Sequence, residues 1–503
     1  MRNYFSQALL VISKIAGLLT GQVALQMCCK KELIMNTAIL IDFGSTFTKA
    51  AVADLEAGRI IYTVKTPSTV QTNAREGLTI CYDSIRQEIG ADRFQCAKKL
   101  ATSSAAGGLR MVVVGLTETL SNTAGRNAAF GAGAKILKTY AGSLTDSDIQ
   151  EMEALNVEII LFCGGYEGGN IKIVRHNAEM LLRMSVNTSV PIIYAGNSEF
   201  IQELKILFYH KHREVFVVSN IIPQVGVVNS LPAEILIRNI FLERITNMKG
   251  LGEVKKVLDS IVMPTPASVL QAGELLSLGC EAEDGFGPLM IVDIGGATTD
   301  IHSYCLCMAA DGARIIGVEE PYAKRTVEGD LGMRESCGLT IGEAGVAAAA
   351  ADLTVTEDEI QRFIDRRLKN IEFLPKGSLV DCQAELLFDQ QLARYACRFA
   401  VRRHAGILEA VPSKLFAKLQ RGKNISCVTT IIGTGGPIIN SDDPRGILSE
   451  ALKTSKDDKL QILLPEAARL MLDQDYIFYA AGMLKEIDPQ AAIKIMKNSI
   501  REV

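Results

Sequence analysis

Twice in this chain a run of apolar residues ends on an aspartate, turns through glycine and continues into threonines. Near residue 40 the run reads Ile39-Leu40-Ile41-Asp42-Phe43-Gly44-Ser45-Thr46-Phe47-Thr48-Lys49. Near residue 290 it reads Met290-Ile291-Val292-Asp293-Ile294-Gly295-Gly296-Ala297-Thr298-Thr299-Asp300. A third glycine turn, Gly433-Thr434-Gly435-Gly436-Pro437, follows another apolar strand. One such hairpin is a common tight turn. Two of one kind and a third of another, in this order, require two similar strand-turn-strand units whose turns can face each other.

The chemistry of the turns is that of phosphate contact. Glycine lets main-chain amides approach a phosphate closely, and serine and threonine hydroxyls add donors. An aspartate at a strand end offers hard oxygen for Mg²⁺, held through its waters. Neither the P-loop pattern nor the dinucleotide-binding glycine fingerprint occurs. The candidate residues on this chemistry are Asp42 and Asp293 for metal, and Gly44, Ser45, Thr46, Thr48, Lys49, Gly295, Gly296, Thr298 and Thr299 for phosphates. Gly433, Gly435 and Gly436 would face the nucleoside.

Short β-branched runs alternate with longer segments of helical period, which predicts an α/β architecture with mostly parallel sheets. Strands are expected at Ala38–Asp42, Arg110–Gly115, Glu158–Cys163, Val190–Tyr194, Glu214–Ser219, Leu289–Asp293 and Val428–Ile432. Helices are expected at Thr117–Tyr140, Ile171–Ser185, Ser198–Lys211, Ala267–Leu278, Gly342–Ala351, Glu357–Lys369, Asp389–Leu408 and Tyr476–Glu486. The stretch of about 105–220 has its own strand-helix rhythm and reads as an inserted subdomain. The organisation expected is domain I over 36–285 with that insert, domain II over 286–475, and a connecting helix over 476–503.

At 503 residues the chain has room for two large domains. A net charge of −4 without a basic block argues against nucleic acid and anionic membranes as partners. Its 12 cysteines fall mostly in apolar or helical runs, as reduced thiols do, and predict a cytoplasmic protein. Cys28-Cys29 and Cys305-x-Cys307 are spaced as redox or metal pairs in principle, but no second pair stands at zinc-ligand spacing and only 5 histidines are present, which argues against metal binding by cysteine. Residues 1–34 read as a dispensable extension or a start placed too early, because Ala8–Leu19 is too short to span a bilayer.

With these motifs the sequence resembles the superfamily of actin, heat-shock ATPases and sugar kinases. The resemblance implies two ribonuclease H-like domains around a nucleotide cleft, with ATP and Mg²⁺ as ligands. It also implies that the helix containing Tyr476, Ala480, Ala481 and Gly482 closes the interdomain hinge. Longer strings are similar to the glutamate mutase (methylaspartate mutase) accessory protein family. They are Cys163-Gly164-Gly165-Tyr166-Glu167-Gly168-Gly169-Asn170, Val262-Met263-Pro264-Thr265-Pro266, Asp293–Ser303 and Val327–Arg334. That resemblance implies a reactivating chaperone for subunits of an adenosylcobalamin-dependent mutase, working by ATP hydrolysis and domain closure. A small-molecule kinase of the same fold is the alternative, and a filament-forming protein a third.

Other features have two readings each. Gly164-Gly165 and Gly168-Gly169 precede a helix and suit either an anion or a plain strand-to-helix connection. Glu328 and Asp330, near Lys324, Arg325 and Arg334, suit a metal water, a phosphate or local ion pairs. His302 and the Arg402-Arg403-His404 group read as structural.

Overall fold

The computed structural model describes residues 36–44, 47–70, 72–103, 109–184, 190–246, 258–310, 312–371, 373–375, 380–411 and 418–503. Ser45, Thr46, Cys28-Cys29 and the stretch 1–34 lie outside them. The chain begins with three antiparallel strands, β1 (Thr37–Phe43), β2 (Phe47–Asp54) and β3 (Arg59–Pro67). It then adds β4 (Lys98–Ser103) parallel to β1. It departs to build β5 (Arg110–Gly115), β6 (Lys135–Ala141), β7 (Ile159–Phe162), β8 (Ile192–Tyr194) and β9 (Val215–Val217), a separate sheet of five parallel strands in the order β6-β5-β7-β8-β9. It returns as β10 (Ser260–Pro264), parallel to β4, and completes the first sheet as β10-β4-β1-β2-β3.

After the short hairpin β11 (Gly279–Cys280) and β12 (Glu283–Asp284), the same pattern starts again. Strands β13 (Leu289–Ile294) and β14 (Thr299–Tyr304) are antiparallel. Past β15 (Ala313–Ile316), β16 (Ala323–Glu328) pairs antiparallel with β14. Strands β17 (Ile407–Ala410) and β18 (Lys418–Arg421) join β15 in a small sheet of three. Then β19 (Thr430–Thr434) and β20 (Arg469–Asp473) run parallel to β13, and β21 (Ile500–Glu502) closes the edge. The order β16-β14-β13-β19-β20 repeats β3-β2-β1-β4-β10 strand for strand and direction for direction. Two ribonuclease H-like sheets joined in one chain constitute the actin-like fold.

Burial explains why the apolar runs of β1 and β13 show no alternation. Every residue of β1 is buried, Ile39, Ile41 and Phe43 in one core and Ala38 and Leu40 in another. In β13, Met290, Val292 and Ile294 enter the second unit's core, while Leu289 and Ile291 join Ala38 and Leu40. A strand covered on both faces is apolar throughout. The shared core is filled by helices Thr265–Leu278 and Phe478–Leu484, which follow β10 and β20, equivalent strands of the two sheets. They cross at Gly482, where a Cβ would lie 1.9 Å from the Ser268 carbonyl oxygen. Ser268 Oγ donates to the Tyr479 carbonyl at 2.6 Å in the same crossing.

Three expected helices are corrected. Thr117–Tyr140 is a π-helical turn at Glu118–Asn122 and a helix at Thr123–Gly131. The chain then turns through Gly133, at φ +84°, into β6. Gly345, at φ +87°, divides Gly342–Ala351 between helices Cys337–Ala344 and Val346–Leu353. The helix placed at Asp389–Leu408 runs instead from Val380 to His404. Ile407 and Leu408 belong to β17, held by the β18 register. Among the described residues no helix is long and apolar enough to cross a membrane.

Candidate functional site

The two aspartates end equivalent central strands, and antiparallel pairing fixes their neighbours. Asp42 pairs across the ladder with Lys49, and Asp293 with Asp300. The hairpins thus carry a carboxylate-ammonium pair on one side and two carboxylates on the other. The turns close alike: Gly44 N–H donates to the Phe47 carbonyl at 3.0 Å, and Gly295 N–H to that of Thr298 at 2.9 Å. Because the sheets face each other, Lys49 feels both Asp42 and Asp293.

Asp42 is buried and fixed by two threonines from neighbouring strand ends. Thr265 Oγ1 donates to its Oδ1 at 2.6 Å, and Thr102 Oγ1 lies 3.4 Å from the same atom. Burial pushes its pKa up, opposed by Lys49 and the two hydroxyls. Asp293 is pushed up to about 7, first by burial and then by Asp300, with Asp473 adding and Lys49 and Arg325 opposing. Asp300 is itself gripped by the buried Arg325, whose Nε and Nη2 donate at 2.9 and 2.6 Å. Burial also lowers the Lys49 pKa. Burial thus works against the charged forms of Asp42, Asp293 and Lys49 alike.

The third turn abuts the second. Gly435 takes φ +90°, and a Cβ there would fall 2.3 Å from the Ile294 carbonyl and 2.7 Å from Asp293 Oδ1. Glycine at 435 lets the turn press against the aspartate. Gly436 and Gly296 are exposed, and Gly295 and Thr298 are half-buried. The loop that follows β16 supports the second turn from beneath. Met333 N–H donates to the Gly295 carbonyl at 3.1 Å and Arg334 N–H to that of Gly296 at 2.7 Å.

Three predicted contacts point away from the cleft. Thr48 is fully buried, and its hydroxyl faces Gly77 of the helix packed on the first sheet. Thr299 is buried at the equivalent position and donates to the Leu331 carbonyl. Alternation along a strand requires this: if Lys49 and Asp300 face the cleft, Thr48 and Thr299 face the packed side. Gly433 is buried in β19, where a Cβ would meet Ile438 and Leu448 at 2.8 and 3.0 Å. Arg334 grips no open site, since it pairs with Asp389 at 3.0 Å. Glu328 and Asp330 form local ion pairs with Arg403 at 3.0 and 2.8 Å.

The structure also adds residues. The Tyr476 ring lies beneath Lys49, with Nζ 3.9 Å from the ring centroid. Tyr476 adopts φ +53°, a left-handed conformation that costs a bulky side chain about 1–2 kcal/mol. Asp293 is the first cause pushing its phenol pKa well up, ahead of burial and Asp42. Asp473, at the end of β20, accepts from Thr434 Oγ1 and Ile477 N–H at 3.0 Å and from Ser499 Oγ at 2.9 Å. Thr265 already stood in one of the quoted strings. Tyr476, expected in the hinge-closing helix, instead precedes that helix, which spans Phe478–Leu484, and nothing local marks it as a cleft residue.

A family model described as MutL protein matches residues 38–500. Protein MutL of Clostridium tetanomorphum is 36% identical over 474 residues, covering 93% of this chain and 100% of that protein. Among solved structures, a nucleotide-free acetone carboxylase is 12% identical at a TM-score of 0.36, over 89% of this chain and 70% of its own. A gluconate kinase from Lactobacillus acidophilus is 12% identical at a TM-score of 0.35, over 93% and 92%. The sequence match spans both sheets, the insert and every turn of the cleft, and the chain belongs to the MutL protein family, the glutamate mutase accessory family that its longer strings resemble.

Proposed function

We propose that this protein is a cytoplasmic accessory protein that reactivates an adenosylcobalamin-dependent mutase of the glutamate mutase type. It would bind and hydrolyse ATP with Mg²⁺ in the cleft between the sheets. The observation that carries the nucleotide half is the meeting of Asp42, Lys49 and Asp293 at facing strand ends. The client half rests on membership of the MutL family.

The donor set fits the ligand. Burial disfavours the charged forms of Asp42 and Asp293, and the charges of Asp300 and Asp473 add to this at Asp293. A divalent cation relieves that arrangement. Two carboxylates do not complete an octahedral shell, so Mg²⁺ would be shared with water and phosphate oxygens. The bound pair supplies a phosphoanhydride and neutralises its developing charge. The chain's own part is to position. Lys49 presents an ammonium at the turn, Gly295 closes the second turn on Thr298, Gly296 leaves its backbone without side-chain obstruction, and Thr265 and Thr102 hold Asp42 still. Asp293, with a pKa near neutrality, can orient a water and take its proton.

Residues 36–285, with the insert at about 105–220, and residues 286–475 would be the two moving units. They would pivot where the 476–503 segment crosses the helix Thr265–Leu278. Closure over phosphates and its release on hydrolysis would transmit force to the client. The test is ATP turnover, with and without a cobalamin-dependent mutase inactivated by its own turnover. ATP-dependent recovery of mutase activity, lost in Asp293→Ala, is expected. Hydrolysis without recovery would remove the client and keep the nucleotide site. Turnover stimulated by a polyol, with a phosphorylated product, would replace the reading with a kinase.

A further inference from the structure

Lys49 stands directly opposite Asp42 on the hairpin ladder, where side chains are near enough for an ion pair. Among the described residues, however, its Nζ makes no ion pair with Asp42 or Asp293, although it feels the charge of both. What it meets is the face of Tyr476, with the ring centroid 3.9 Å away. An aromatic ring attracts an ammonium through its quadrupole and takes up no carboxylate oxygen in doing so.

A pinned turn holds that ring in place. Tyr476 adopts φ +53°, and a bulky residue keeps a left-handed backbone only where its surroundings over-determine it. Here Tyr476 N–H donates to the Asp473 carbonyl at 3.3 Å, and the Asp473 carboxylate accepts from Ile477 N–H at 3.0 Å. Asp475 N–H donates to Ser499 Oγ at 3.1 Å. The Tyr476 ring packs obliquely on that of Tyr479, 6.2 Å between centroids, and Ser268 holds the Tyr479 carbonyl across the helix crossing. The turn follows β20 of the second sheet and Lys49 belongs to β2 of the first, so the contact spans the cleft. The phenol keeps its proton, because the charge of Asp293, then burial, then the charge of Asp42 disfavour its anion.

On the reading of the cleft as a nucleotide site, on which this rests, we propose that Tyr476 is a positioning residue that holds the Lys49 ammonium off Asp42 and Asp293. Both carboxylates then stay free for the divalent cation, and the ammonium remains available to a phosphate. Without the ring, the strongest attraction left to Lys49 is that of the two carboxylates. The ammonium would fall onto one of them and compete with the cation for its oxygens.

Mn²⁺ binding to nucleotide-free protein supplied with ADP, followed by the electron paramagnetic resonance of free Mn²⁺, tests this without turnover. Tyr476→Leu keeps apolar bulk but no ring and should weaken Mn²⁺ about tenfold, whereas Tyr476→Phe should stay within about twofold of wild type. In a Lys49→Met background, Tyr476→Leu should change Mn²⁺ affinity by less than about twofold, because no ammonium is left to restrain. A purely structural role for Tyr476 would weaken binding in both backgrounds, and a role for its hydroxyl would weaken Tyr476→Phe as much as Tyr476→Leu. Either result overturns the proposal, and so does wild-type affinity in Tyr476→Leu. Failure of the wild-type protein to bind Mn²⁺ with ADP would instead remove the nucleotide site itself, and the role of Tyr476 with it.

Discussion

Asp293→Asn removes a carboxylate that the folded protein holds at a cost, and its effect on stability can be worked out before any activity is measured. In the unfolded chain this group titrates near 3.8, and in the folded chain at about 7. Below pH 3.8 both states carry the proton and there is no penalty. Between 3.8 and 7 the folded state binds more protons than the unfolded one, so stability falls as pH rises. Above 7 the penalty is complete. The interval corresponds to about 4 kcal/mol. Because the side chain is only partly buried and Lys49 lies near it, relaxation reduces this to roughly 2 kcal/mol. Nucleotide-free, EDTA-treated Asp293→Asn should therefore melt about 2 °C above wild type at pH 8. The gap should narrow at pH 5 and approach zero near pH 4, while Mg²⁺·ATP protection is lost. Differential scanning calorimetry across that range reads both. An asparagine variant no more stable than wild type at pH 8, or a gain independent of pH, would refute the reasoning.

Gly482→Ala must push the two crossing helices apart at Ser268 and lose the Ser268–Tyr479 hydrogen bond. A loss of about 2–4 kcal/mol is expected by urea denaturation. Arg367 is fully buried and bonds Glu385 at 2.6 Å and Asp389 at 2.8 Å. Arg367→Ala removes one partner from each and leaves Glu385 with Arg366 at 2.8 Å and Asp389 with Arg334 at 3.0 Å, so it should cost about 2–3 kcal/mol in the same assay. His404, buried and bonded to Ser303 and Thr326 at 2.8 Å each, has its pKa held well below 6.5 by burial, then Lys423, Lys324 and His302. The unfolded state binds the proton more readily, so this contribution is present above pH 6.5 and is lost as pH falls below it. His404→Gln should flatten melting temperature against pH between 6.5 and 4.5. An unchanged slope would contradict this.

The sequence by itself determined the elements that rest on short-range signals. Continuous apolar runs ending in Asp42 and Asp293, each followed by glycine and threonine, located both central strands and both turns of the cleft. Their repetition announced two like halves before any pairing was known. What it could not determine was direction. Whether a threonine beside a turn faces the ligand or the core depends on the register of a partner strand, and Thr48 and Thr299 were misplaced for that reason. Continuity was likewise hidden. Lys135–Ala141 has no strand character strong enough to outweigh a helical reading until β5 supplies its ladder. Only the tertiary structure decided the electrostatics, because the Asp293 pKa depends on Asp300 and Asp473, and Lys49 lies over Tyr476 from the far end of the chain. Charges and rings interact through space at distances of a few ångströms, and the linear order of residues carries no record of which distant groups folding will bring that close.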